Sequence, residues 1–413
     1  MRQITIALIG AGQRGMDCYG TYALRFPYEA RFVAVAEPNR ARRERFRQEH
    51  GLTEDQCFED WQELLARPRL ADALLVCTQD RLHFAPVMAA IEAGYHVLVE
   101  KPLSPDRDEC LRMGNAAEEA GGVFLLGHTL RYTALFATLK QLLDEGRIGR
   151  LISIQHNENV AFWHYAHSFV RGNWRNSDIS SPMILAKSCH DMDILLWLAG
   201  ADCTHISSFG SLTHFTAENA PQGAPARCLD GCPAAHTCSY YAPRWYLSGE
   251  KGWPVSVISD DLSPVGLLKA LQEGPYGRCV YQCDNNVVDH QVVSLEFANS
   301  VTAVFTMCAF TDDVYRTIKL MGTAGEMHAI LSDTRCEIKI LDFATRACTT
   351  ITLPHGNYED GYLGLMQDFI QMIRAGSSQT GLTSISRSVE SHLMAFAAEQ
   401  SRLEKRTIEL HIS

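Results

Sequence analysis

The sequence predicts an α/β protein: a doubly wound parallel sheet first, then an α+β domain with a large open sheet, mixed or antiparallel. Three observations carry this. Residues 4–15 run from an apolar strand directly into Gly10-x-Gly12-x-x-Gly15. Strand-like and helix-like segments then alternate as far as residue 127, the rhythm of βαβ units. Beyond about residue 200 the strands follow one another closely, which points to a second sheet built without crossover helices.

In order, strands are expected at 3–9, 31–36, 72–77, 95–99 and 122–126, and helices near 15–25, 39–50, 82–93 and 105–120. The last helix has Ser104 to cap it, Pro105 at its first position and Asp106 and Asp108 in its first turn. A helix over 134–145 leads through Gly149 to a strand at 151–158, and residues 182–198 read as one helix. Strands are then expected at 205–210, 291–297, 301–307, 315–321, 325–330, 336–342 and 347–352. Amphipathic helices follow at 361–375 and 385–403. This divides the chain into a dinucleotide-binding domain, 1–128, and a substrate and oligomerisation domain, 129–413. Residues 215–285, rich in Cys, Pro and Gly, form an insertion in the second.

Composition narrows the function. The chain has 413 residues and a formal charge of −11, which argues against sequence-independent nucleic-acid binding. No apolar run reaches membrane-spanning length, and the first apolar stretch flows into the glycine turn rather than a cleavage site. The expectation is therefore a cytoplasmic protein whose fourteen cysteines are mostly reduced.

The glycine motif suits a dinucleotide. Gly10 permits the tight turn, Gly12 lets the backbone approach a pyrophosphate, and Gly15 lets the next helix pack closely, with Gln13 and Arg14 between them. The second strand ends at Glu37, where a ribose-binding carboxylate belongs. A carboxylate there repels a 2′-phosphate, so NAD is expected over NADP. Arg40, Arg42 and Arg43 nearby read as a solvated helix face.

Two constellations carry chemistry. Glu100-Lys101-Pro102 ends the strand at 95–99, at the mouth of the crevice, and proline confines Lys101 to extended backbone. A lysine there can hydrogen-bond a reacting hydroxyl and lower its pKa; the plainer alternative is a surface lysine at a loop start. On a continuous helix, Lys187, His190 and Asp191 would share one face, with His190 the proton acceptor. The plainer alternative is a buried histidine satisfied by its neighbours.

These motifs in this order resemble the glucose–fructose oxidoreductase / inositol dehydrogenase / rhizopine-catabolism (Gfo/Idh/MocA) family, over nearly the whole chain. The resemblance implies a Rossmann domain, an open sheet that serves as a dimer or tetramer interface, and NAD(P)-linked oxidation or reduction of a sugar or polyol carbon. It implies that Gly10, Gly12 and Gly15 hold the pyrophosphate and Glu37 the adenosine ribose. Cys77, Thr78 and His83 match the loop beside the cofactor, Glu100 the residue before the catalytic lysine Lys101, and His190 the catalytic histidine. Many family members carry an aspartate four residues before that histidine. Here the position is Ala186, with Lys187 beside it. Two lysines would suit an acidic substrate or a developing alkoxide. Some relatives run redox-neutral glycosidase or lyase cycles through a transient keto-sugar, which is the second reading. A non-catalytic dinucleotide sensor is the third.

Residues 156–176 offer aromatic and polar groups for a carbohydrate, or a well-packed loop: Trp163, His167, Trp174 and Arg175. His128, Arg131 and Asp191 are further substrate-site candidates. Cys228, Cys232, Cys238 and Cys283 are candidate ligands of a structural zinc or iron–sulfur centre, although their spacing departs from paired C-x-x-C.

Overall fold

The computed structural model describes residues 2–354, 358–377 and 381–410. The first sheet has six parallel strands: β1 (Ile4–Ile9), β2 (Ala30–Ala36), β3 (Cys57–Phe58), β4 (Ala73–Val76), β5 (His96–Val99) and β6 (Phe124–Leu126). Their order is β3-β2-β1-β4-β5-β6. A parallel sheet covered on both faces needs unbroken apolar strands, and every residue of β4 is buried. The order reverses between β1 and β4, so the crevice lies outside the carboxyl ends of these two strands.

The second sheet has nine strands: β7 (Leu151–Asn159), β8 (Cys203–Ser211), β9 (His290–Phe297), β10 (Thr302–Cys308), β11 (Tyr315–Gly322), β12 (Gly325–Ser332), β13 (Cys336–Asp342), β14 (Cys348–Thr352) and β15 (Ile408–Glu409). They lie in the order β14-β13-β12-β11-β7-β10-β9-β8-β15. The β7–β10 pair is parallel and the other pairs are antiparallel, so the sheet is mixed. Burial alternates strictly along β9, which gives this sheet one core face and one open face. Phe209 and Val292 are cross-strand partners, and both are exposed on the open face.

The last two helices cross the expected domain boundary. Tyr358–Ala375 contributes Leu365, Met366, Phe369 and Ile370 to the core that packs on Ile4, Ile6 and Leu8. Ile385–Glu404 puts Val389 and Leu393 against the other face of the six-stranded sheet, and Met394, Ala395 and Ala398 into the core of the nine-stranded sheet. The insertion has a small core of its own, including Tyr246, Leu267 and Leu271.

Two local expectations are corrected. Asp106, not Ser104, caps the helix Arg107–Ala120, accepting from the amides of Asp108 at 2.8 Å and Glu109 at 3.0 Å. The Ser104 hydroxyl accepts from Asp106 N one turn earlier, so Pro105 lies outside the helix. The helix expected over 182–198 is two pieces, Met183–Ala186 and Cys189–Ala199, with Lys187 and Ser188 between them. Lys187, His190 and Asp191 therefore do not share a helix face.

Candidate active site

The glycine turn is built as the motif requires. Gly10 has φ of +92°, and a Cβ there would lie 2.7 Å from the carbonyl oxygen of Cys77, where β1 and β4 end side by side. A Cβ on Gly15 would lie 2.2 Å from the carbonyl oxygen of Gly10. Gly12 is the opposite case: nothing lies within 4 Å of its absent side chain. The motif thus combines two closed positions with one open one. Beyond it the chain enters a wide, π-type turn, Arg14–Gly20, before the α-helical Thr21–Arg25. Gln13 and Arg14 are exposed, and the Arg14 guanidinium lies 4.8 Å over the Tyr362 ring.

Glu37 is buried beside this turn, accepting from Ala11 N at 2.7 Å and Asn39 N at 2.9 Å. The Thr78 hydroxyl oxygen is buried without a hydrogen-bond partner. Open space at Gly12 and an unsatisfied hydroxyl at Thr78 are what a dinucleotide site leaves for its ligand, so the residues fit that cofactor. Cys77 is buried, and that burial, reinforced by Glu100, pushes its thiol well above the usual range. His83 spans the mouth of the crevice. Its ring nitrogens lie 2.8 Å from Pro102 O and 3.1 Å from Thr78 O, which ties the end of β4 to the turn after β5.

Glu100 is buried, accepting from the Tyr19 hydroxyl at 2.6 Å and from Lys101 N at 3.0 Å, so its carboxylate anchors the turn that presents Lys101. The Lys101 ammonium reaches across to the second domain and donates to the carbonyl oxygen of Ala186 at 2.7 Å.

His190 lies in the first turn of the second helix piece. No hydrogen bond to its ring is present among the described residues, and its Nδ1 is buried. Burial first, then the positive charge of Lys101, push its pKa well below the usual histidine range. The His128 ring stands edge-on at 5.8 Å from it. Lys187 leaves the break in the helix and pairs with Glu158 at 3.2 Å, and burial lowers its pKa. Glu158 in turn meets Arg316, which pairs with Asp191 at 2.8 Å.

Several expected substrate contacts are employed elsewhere. Asp191 is fully buried between Arg316 and His156. Burial alone would raise its carboxyl, but these two partners hold it well below the usual range. Arg131 grips Asp193 bidentately at 2.6 and 2.7 Å. His128 is fully buried, so it backs His190 rather than meeting a substrate. Trp174 donates to Asp80 at 3.1 Å, and Arg175 to Asp284 at 2.7 Å. Trp163 and His167 line a small cavity with Tyr240, Trp245 and Tyr246, but neither Lys101 nor His190 borders it. His167 is buried there, its Nδ1 2.9 Å from the Tyr246 hydroxyl.

Two features carried no sequence signal. Asp80 accepts from Ser180 at 3.0 Å, Ser181 at 2.6 Å and Trp174, joining the first domain to the second. His392 accepts from Leu103 N at 3.0 Å just beyond the Lys101 turn. The four candidate metal ligands are not all brought together. Cys228, Cys232 and Cys238 border one pocket with Cys279, whereas Cys283 lies outside it, donating to Cys279 O at 3.2 Å. All fourteen cysteines are free of disulfides.

Among the described residues, no helix is long and apolar enough to cross a membrane. The family model of an oxidoreductase NAD-binding Rossmann fold matches residues 4–128, and that of the corresponding C-terminal alpha/beta domain matches 140–410. Inositol 2-dehydrogenase 4 of Saccharopolyspora erythraea is 32% identical over 212 residues, covering 50% of this chain and 57% of its own. A 2,7-anhydro-N-acetylneuraminate hydratase of Escherichia coli is 26% identical over 197 residues, 47% of this chain and 50% of its own. The chain thus spans little more than half the length of these curated relatives. The solved structure of levoglucosan dehydrogenase with NADH and levoglucosan shares the fold, with a TM-score of 0.73 at 19% identity over 99% of both chains. With both halves of the chain matched in order, the protein belongs to the Gfo/Idh/MocA oxidoreductase family.

Proposed function

We propose that this protein is an NAD-dependent oxidoreductase that interconverts a secondary alcohol and a ketone on a sugar or polyol. The observation that carries the reading is the pairing of Lys101, at the end of β5, with a His190 ring that has no protein hydrogen bond. Nicotinamide, when bound, supplies the hydride acceptor or donor. His190, kept neutral by burial and by Lys101, takes the hydroxyl proton. Lys101 stabilises the oxygen as it gains negative charge. Lys187 is a neighbouring cation countered by Glu158, so an acidic substrate loses one of its two expected partners and a neutral polyhydroxyl compound is the better fit.

NAD is favoured over NADP. Glu37 puts a carboxylate where a 2′-phosphate would sit, and two of the three nearby arginines are engaged: Arg43 with Glu59 at 3.0 Å and Arg42 with Asp260 at 3.7 Å. The exposed pair Phe209 and Val292 supports homo-oligomerisation through the open sheet face, as a dimer or tetramer, which light scattering tests.

The test is to follow reduced nicotinamide by absorbance with the protein, NAD⁺ and panels of polyols, neutral sugars and uronic acids, beside glycosides assayed for aglycone release. Net reduction with one substrate supports the dehydrogenase. Product formation that needs bound cofactor but yields no net reduced nicotinamide would replace it with a redox-neutral cycle, the direction the hydratase relative suggests. No turnover on any panel, with cofactor bound, would leave a sensor.

A further inference from the structure

Residues 215–285 bring distant cysteines together. Arg227 and Arg278 form an antiparallel bridge, with Cys228 N donating to Gly277 O at 2.9 Å and Cys279 N to Ala226 O at 2.8 Å. Cys228 and Cys279 therefore lie on the same face of two short extended segments, diagonally across the bridge and one residue beyond it on each strand. The loop between Cys228 and Tyr241 folds back over them, and Cys228, Cys232, Cys238 and Cys279 all border one pocket.

The Cys228 sulfur receives two donors, Ala242 N at 3.5 Å and the Arg171 guanidinium at 3.7 Å. Bonds of this kind stabilise a thiolate more than a thiol, and hydrogen bonds to ligating sulfurs tune bound metal centres.

Arg171 is the second, independent observation. Arg171 is 2% exposed and borders the same pocket. It donates to Arg278 O at 2.8 Å, Tyr240 O at 2.7 Å and Cys228 Sγ at 3.7 Å. No carboxylate pairs with it among the described residues. Carbonyl oxygens offset only part of the cost of burying a cation, so the site favours an anionic group beside it.

We propose that Cys228, Cys232, Cys238 and Cys279 hold an iron–sulfur cluster whose negative charge Arg171 balances. A zinc ion with bonds of about 2.3 Å draws four sulfurs to within about 4 Å of one another. Among the described residues no three His, Cys, Asp or Glu side chains are set to hold a single ion. Sulfurs placed around a pocket, instead of against one another, match a cluster, which four cysteine thiolates ligate. Each thiol releases its proton on ligation. The centre is structural. Arg171 and Tyr240 also line the aromatic cavity with Trp163 and Trp245, so the cluster fastens the wall that carries those rings.

The experiment is anaerobic purification of the full chain from iron-replete cells, then iron, sulfide and zinc analysis with visible and electron paramagnetic resonance spectra before and after dithionite. Iron and acid-labile sulfide in equal amounts, about four of each per chain, with a visible band bleached by dithionite, are expected. Cys232→Ser and Cys238→Ser are expected to lose most of the iron, whereas Cys283→Ser keeps it. Wild-type protein with stoichiometric zinc in place of iron, with a disulfide among the four by intact mass, or with neither metal after reconstitution with iron and sulfide overturns the proposal. So does loss of iron in Cys283→Ser with retention in Cys279→Ser. The wild-type analysis decides the matter even where a variant fails to fold.

Discussion

The ammonium of Lys101 is held by the backbone carbonyl of Ala186, 2.7 Å away, across the boundary between the two sheets. Many family members have a carboxylate at that position. Here a neutral carbonyl takes the hydrogen bond, so Lys101 keeps its full positive charge next to His190. Replacing Lys101 with Met removes that charge and a bond between the domains. We expect kcat to fall by about 10²–10⁴ with dinucleotide affinity unchanged. Steady-state kinetics with a cofactor-binding titration checks this, and full turnover in a folded, cofactor-bound Lys101→Met would remove Lys101 from the chemistry.

The same relationship sets the pH profile. His190 is depressed by burial and by Lys101, so it stays neutral well below the ordinary histidine value of about 6.5. The acid limb of kcat/KM is therefore expected below about pH 6, with a level profile to about pH 8. Ala186→Asp adds a negative charge beside Lys101 and His190 and is expected to move that limb upward. A wild-type limb centred near the ordinary value would mean that His190 is not the proton acceptor.

Buried histidines also govern acid stability. Burial lowers the His128 pKa to about 4 and the His392 pKa to about 3. In the unfolded chain both return to about 6.5, so the unfolded state binds more protons below that pH. Their neutral burial costs nothing above pH 6.5, and stability is lost as pH falls from there towards the folded values. For His128 alone the loss approaches about 3 kcal/mol. Thermal melts between about pH 7 and pH 4 should show a steep fall, reduced in His128→Gln.

Gly12 and Gly15 separate binding from folding. Gly12→Val places its side chain in open space, so Tm should hold while dinucleotide affinity falls by on the order of ten-fold or more. Gly15→Ala drives a methyl group into Gly10 O, and we expect about 1–3 kcal/mol of lost stability. Equal Tm changes in the two variants would contradict this division.

Asp193→Ala leaves Arg131 buried without its carboxylate. Breaking such a pair costs about 3–5 kcal/mol, so a large fall in Tm is expected. A melt within a degree or so of wild type would show that Arg131 finds another anion.

Much of this site was legible from strand ends. Gly10, Glu37, Thr78 and Lys101 all lie where a strand stops, because apolar runs reveal strands and parallel sheets bind at their carboxyl ends. The second domain was harder to read. Lys187 and Ser188 interrupt a run whose composition suits a helix throughout, and that break turns Asp191 towards Arg316 from β11, more than a hundred residues away. Arg131 reads as a site residue because it follows the last strand of the first domain, yet in the fold it is buried against Asp193 and each satisfies the other. Cys283 is the candidate the sequence offers, but Cys279, four residues earlier, is the one that borders the pocket with the other three, a placement that depends on the fold of the whole insertion.

The helices Tyr358–Ala375 and Ile385–Glu404 have a consequence for synthesis. The six-stranded sheet is translated by Leu126, but the helix that covers one of its faces leaves the ribosome more than two hundred residues later. Until then Ile4, Ile6 and Leu8 lack much of their cover. The dinucleotide half therefore cannot complete itself as a nascent chain in the usual N-to-C order, and its incomplete form is a natural client for chaperones.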